Sequence, residues 1–211
     1  MLKKTAFLTS LFFLSLQYIS AHPHMGLNSR CVVHWEGERI AGVELEWDFD
    51  KYFSADVIYS FDLDSNGIFD ENELKEIYQF AFSNLENFNY FTFFRAGDER
   101  FTPERIENFN AWYKDRVVTY SFYIPLDDFY ERELYVSVYD FSFFCLVEYD
   151  EDDPVRLNLD PAQIQAGFSI EENRDYPVYY DPFAPMTDMT VYDSWHPGLE
   201  TFYPEEIHIV F

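Results

Sequence analysis

Along residues 43–50, apolar and acidic positions alternate: Val43, Leu45, Trp47 and Phe49 interleave with Glu44, Glu46, Asp48 and Asp50. A period of two predicts a strand with one buried face and one acidic face. Cys31, Val33 and Trp35 alternate with Val32 and His34 in the same way, so residues 30–49 read as a β-hairpin. The period then changes. Residues 51–61, KYFSADVIYSF, predict a short helix. ENELKEIYQFAFSNLENF predicts an amphipathic helix with Leu74, Ile77, Tyr78, Ala81 and Leu85 on one stripe. Strand-like runs return downstream, with turns expected at Gly97-Asp98 and Lys114-Asp115 and further strands in RELYVSVYDFSFFCLVEY. After DEDDPVRL the pattern weakens. Residues 171–204, rich in Pro, Tyr and Asp, read as a long loop within an arm at about 158–205, and EIHIVF reads as a closing strand.

The segment between the two predicted helices carries the clearest chemistry. DLDSNGIFDENE places oxygen donors at positions 1, 3, 5, 7, 9 and 12: Asp62, Asp64, Asn66, the Ile68 carbonyl, Asp70 and Glu73. Gly67 occupies position 6, where a sharp turn needs positive φ. This is the EF-hand calcium pattern, since a hard cation prefers an all-oxygen shell. Four carboxylates also repel one another unless a cation sits among them. The sequence holds one such loop and 4 Met, whereas sensors pair their loops and expose Met-rich grooves. A structural site is therefore expected rather than a switch. The expected architecture is α+β: mainly antiparallel β, sandwich-like, with an inserted helix–EF-hand-like loop–helix at about 51–88.

The first residues, MLKKTAFLTSLFFLSLQYISA, read as a secretory signal: Lys3 and Lys4 precede a short apolar stretch, and Ala21 ends it at a small-residue cut site. That leaves residues 22–211 as one exported, soluble domain, periplasmic in a cell with two membranes. The stretch is too short to span a bilayer, and no later segment is long and apolar enough. Export permits a disulfide. Cys31 and Cys145 are the only cysteines, and a bridge and two buried thiols both remain open.

Cutting after Ala21 would expose HPHMG. The α-amino group and ring of His22, with the imidazole of His24, would suit nickel, cobalt, copper or zinc. Pro23 has no amide hydrogen, which blocks a square-planar site built from successive backbone amides. Further ligands would have to come from the fold, and Asp48, Asp50, Asp140, His34 and His208 are candidates.

The formal net charge is −25, from 14 Lys+Arg against 39 Asp+Glu, which makes nucleic acid a poor partner. No G-x-S-x-G, H-E-x-x-H, phosphate loop or C-x-x-C occurs, so a non-enzymatic protein is expected. The 21% aromatic content fits a packed β core or a glycan- or protein-binding surface.

Five segments occur in a fixed order: AHPHMGLNSRCVV, EWDFDKYFSADVI, FDLDSNGIFDENEL, NFNYFTFF and YVSVYDFSFFCLVEY. In that order they resemble domain-of-unknown-function family 1007, over about residues 20–157. The family is commonly described as a periplasmic component of an uncharacterised ABC-type transport system. The resemblance implies association with membrane metal transporters of the nickel/cobalt type. It favours an accessory protein that handles a transition metal through His22 and His24. The alternative is a calcium-stabilised module that contacts a protein or glycan.

Overall fold

A computed structural model describes residues 23–211. The signal-like segment and His22 lie outside the described residues. Strands β1 (Met25–Glu36) and β2 (Arg39–Phe49) form the expected hairpin, joined at Gly37 with φ +62°. Val43, Leu45 and Trp47 are fully buried, as the alternation requires. Two positions of the acidic face pair with an arginine of the hairpin itself. Arg30 on β1 reaches Glu46 at 3.0 Å, Asp48 at 2.9 Å and Asp150 at 3.2 Å.

Two sheets enclose a single main core. The first runs β5 (Glu107–Lys114), β6 (Val117–Pro125), β2, β1, β8 (Cys145–Tyr149). Strand β9 (Val155–Asn158) also pairs with β1, further along it. The second runs β10 (Gly167–Glu172), β13 (Glu205–Val210), β7 (Glu133–Val138), β3 (Thr92–Ala96), β4 (Glu99–Phe101). Most pairs are antiparallel, but β8 and β9 both run parallel to β1. The Tyr149 phenol bridges the sheets: it accepts from the Val138 amide at 3.1 Å and donates to the Val136 carbonyl at 3.3 Å.

The parallel strands follow from a crossover. After β7, buried Asp140 accepts from the Ser142 amide at 2.8 Å, the Ser142 hydroxyl at 2.7 Å and the Cys145 amide at 3.0 Å. Its carboxylate thus folds residues 140–145 into a compact bend that delivers β8 to the other sheet. The ribbon β11 (Val178–Tyr180) and β12 (Glu200–Phe202) packs on this bend, with the Phe143 ring 4.1 Å from Tyr180 and 4.8 Å from Phe202. The weakly patterned region is therefore structured: β10 extends the second sheet, and the ribbon covers the crossover.

Cys31 and Cys145 are free, buried thiols. Cys145 lies opposite Met25 in register, while Cys31 sits six residues further along β1. At about 3.3 Å per residue that separates them by roughly 20 Å, far beyond the ~7 Å limit for a bridge.

Between β2 and β3 the chain is helical. Helix α1 (Lys51–Phe61) is capped by Asp50, whose Oδ1 accepts from the amides of Tyr52 and Phe53. The other oxygen accepts from the Gly26 amide at 2.8 Å, tying the helix start to β1. Helix α2 (Glu71–Ile77) is shorter than the expected stripe. A π-helical turn over Tyr78–Phe82 follows, then a 3₁₀ segment, with Asn89, Tyr90 and Phe91 in left-handed conformations. The wider turn advances the buried face by five residues. Leu74, Ile77, Ala81 and Leu85 of the expected stripe meet the core, Tyr78 is exposed, and Phe82 is added, buried beside Phe122 and Tyr120.

Candidate metal centre

The segment between α1 and α2 is organised around its carboxylates. Gly67 holds φ +91° and Ser65 φ +57°, which lets the chain curl so that its amides point inward. Asp62 accepts from the amides of Asn66 at 3.1 Å and Gly67 at 3.3 Å. Asp64 accepts from the amide and side-chain nitrogen of Asn66. Glu73 is 5% exposed, and each of its oxygens is aligned by a backbone donor: Leu63 at 2.8 Å and Asp70 at 2.9 Å.

These contacts bring ligand atoms of Asp62, Asp64 and Glu73 within 4.8 Å of one another. Among the described residues, this is the one group of three or more His, Cys, Asp or Glu close enough to share an ion. Asp70, also expected as a ligand, is the N-cap of α2: its Oδ1 accepts from the amides of Asn72 and Glu73, completing a capping box with Glu73. The Asn66 side-chain oxygen accepts from the Ile68 amide at 2.9 Å. The Ile68 side chain is exposed, as suits a position that would contribute only its carbonyl.

One partner was not legible from the loop. Tyr113 on β5 donates its phenolic hydrogen to Asp62 Oδ2 at 2.5 Å. Its ring also packs 5.0 Å from buried Phe69. Tyr113 is 51 positions from Asp62, so no local pattern links them. The Tyr113 hydrogen bond is the main reason the Asp62 carboxyl lies below the usual carboxylate range, and the Gly67, Asn66 and Ser65 amides add to it. The same bond pushes the Tyr113 phenol up to about 12. The loop is thus pinned to the edge strand of the first sheet through a ring and a hydroxyl.

Of the amino-terminal candidates, His22 lies outside the described residues and His24 lies within them. His24 enters β1 with its amide donating to the Phe144 carbonyl at 2.9 Å and its ring 5.2 Å from that of Phe144. The residues considered as further ligands have structural partners. Asp48 bonds Arg30 and Thr119, Asp50 caps α1, and Asp140 shapes the crossover. His34 lies between Glu44 and Asn158. His208 stacks 4.0 Å from Tyr135 and contacts Glu133.

Two packed sheets bearing a helix–loop–helix with three converging carboxylates define the class: a β protein with a candidate cation-binding insert. The chain belongs to the family described as "Protein of unknown function (DUF1007)", whose model matches residues 7–211. The match includes the carboxy-terminal region beyond residue 157. The chain is 30% identical over 105 residues to the "Uncharacterized 15.5 kDa protein in trpE 3'region" of Spirochaeta aurantia, covering 49% of this chain and 75% of that protein. No solved structure matches the chain. Among the described residues, no helix is long and apolar enough to cross a membrane.

Proposed function

We propose that residues 62–73 bind one calcium ion, and that the protein is an exported metal-binding accessory protein in which this ion fastens the helical insert to the first sheet. The observation that carries the reading is the approach of Asp62, Asp64 and Glu73 within 4.8 Å, with backbone donors orienting each carboxylate. All-oxygen ligation by flexible carboxylates and a carbonyl favours calcium over magnesium, which demands near-octahedral geometry and keeps its waters. A structural role is supported by the anchoring of the loop on Tyr113 and Phe69, which leaves it little freedom to act as a switch.

Terbium luminescence tests this reading. Tyrosine-sensitised terbium emission should saturate at one ion per chain, and calcium should displace it. An Asp62→Asn, Glu73→Gln variant should give no saturable emission. Emission unaffected by that double substitution would overturn the assignment.

The transition-metal role belongs to His22 and His24. It rests on the HPH sequence that cutting after Ala21 would expose. Nickel, cobalt, copper or zinc would be held by the amino-terminal histidines for transfer to a membrane transporter. Nickel and copper titration of the mature chain and its His22→Ala, His24→Ala variant decides this. Equal binding by both would remove the role.

A further inference from the structure

A second feature lies away from the calcium loop. The β4–β5 loop and the β6–β7 loop face each other across a cleft of about 410 Å³. That volume falls within the range of ligand-binding pockets. Phe101, Leu126 and Phe129 line its apolar part, with Leu126 and Phe129 buried and the Phe101 and Phe129 rings 6.4 Å apart. Tyr130, also in the lining, is 72% exposed.

The walls are braced. Arg105 reaches Glu107 at 3.0 Å and Asp127 at 2.7 Å, linking the two loops. Arg39 donates to the carbonyls of Leu126 and Asp127, and the Leu126 amide donates to the Ala41 carbonyl at 2.8 Å. Pro103 and Pro125 stiffen the two sides. The cleft is thus formed without needing an occupant to order it.

Its charge is one-sided. Glu99, Glu104, Asp128 and Glu131 line it and are exposed, and none makes an ion pair among the described residues. The cation in the lining, Arg105, is already shared by two carboxylates. A concave surface of one sign concentrates ligands of the opposite sign. Yet no three of these carboxylates lie close enough to share an ion. A single ion could therefore not be shared by three of them, and the apolar floor of Phe101, Leu126 and Phe129 offers a bare metal ion no ligand.

We infer that this cleft docks a basic segment of a partner protein, with lysine or arginine heads on the rim carboxylates and an adjacent apolar side chain on Leu126 and Phe129. The inference stands independently of the calcium site. An acetylated, fluorescein-labelled peptide alternating Lys and Leu over six residues provides the probe, read by fluorescence anisotropy. Saturable binding is expected below about 1 mM, weakening with added salt. Glu104→Lys, Glu131→Lys should lower affinity at least about tenfold, while Glu171→Lys, Glu172→Lys on edge strand β10 should change it less than about threefold. Both variants alter net charge equally and exposed residues only, and circular dichroism verifies their folding. Equal loss in both variants would reduce the effect to net charge and overturn the docking site. Equal binding of a Lys-Ser peptide would eliminate the apolar floor, and equally tight binding of spermine would replace the peptide with a small polyamine. No saturable binding would also reject the proposal.

Discussion

Substituting Glu73 with glutamine separates what this side chain does for the fold from what it does for an ion. Its two oxygens accept from the Leu63 amide at 2.8 Å and the Asp70 amide at 2.9 Å, and the residue is 5% exposed. Glutamine retains one acceptor and turns an NH₂ toward the other backbone donor. Loss of one charge-assisted bond with a donor left facing a donor costs about 1–3 kcal/mol. Relief of repulsion from Asp62 and Asp64 offsets part of this, and only part, because Asp64 is exposed and solvent screens it. A net loss of about 1–2 kcal/mol in chelator corresponds to a drop of roughly 2–8 °C in Tm for a domain of this size. Calcium should widen the gap. With a Kd of about 10⁻⁴ M, typical of extracellular modules, about 2 mM calcium stabilises the native chain by about 1.8 kcal/mol. The variant, lacking its bidentate ligand, should gain nothing measurable. Melting curves by circular dichroism in EGTA and in calcium read both quantities. A variant as stable as wild type in EGTA would refute the two-amide role. A calcium-induced shift of the same size in both proteins would refute the ligand role.

Three further outcomes follow from the contacts. Tyr113→Phe removes the main contact that lowers the Asp62 carboxyl, so its titration should move upward in a carbon-detected NMR experiment; an unmoved titration contradicts the Tyr113 linkage. The sign is fixed: a depressed folded pKa contributes stability above the unfolded value, lost as pH falls through the folded value, so this variant should have less stability to lose on acidification and should complete the loss at higher pH. Gly42→Ala would place Cβ 2.3 Å from the Tyr123 hydroxyl and 2.5 Å from the Ile124 carbonyl; overpacking of this kind costs about 1–3 kcal/mol, and an unchanged Tm would show that β2 and β6 yield more easily than their register implies. Burial pushes the Cys31 thiol up to about 12 and raises Cys145 as well; Ellman's reagent should therefore find almost no reactive thiol in the native chain and two in denaturant without reductant, and finding none in denaturant would indicate a bridge.

The parts of the fold legible in the sequence were those set by local periodicity. Val43, Leu45 and Trp47 announced the buried face of β2, and Gly67 with its flanking acids announced the curl between α1 and α2. Partnering over long distances was not legible. Nothing near Cys145 or Val155 indicates that these strands run parallel to β1, because that pairing depends on the Asp140 bend and on distant register. The stripe from Leu74 to Leu85 assumed α-helical spacing throughout, and with the π-helical turn Phe82 is buried while Tyr78 is exposed. At the candidate site, Asp62, Asp64 and Glu73 could be read from spacing, while the capping role of Asp70 emerged from α2 starting immediately after it. Tyr113 could be found only in three dimensions.

Isothermal titration of calcium into the chelator-treated chain tests the central claim most directly. One ion per chain should bind in wild type, and none in the Asp62→Asn, Glu73→Gln variant. A folded wild-type chain that takes up no calcium at millimolar concentration would contradict it.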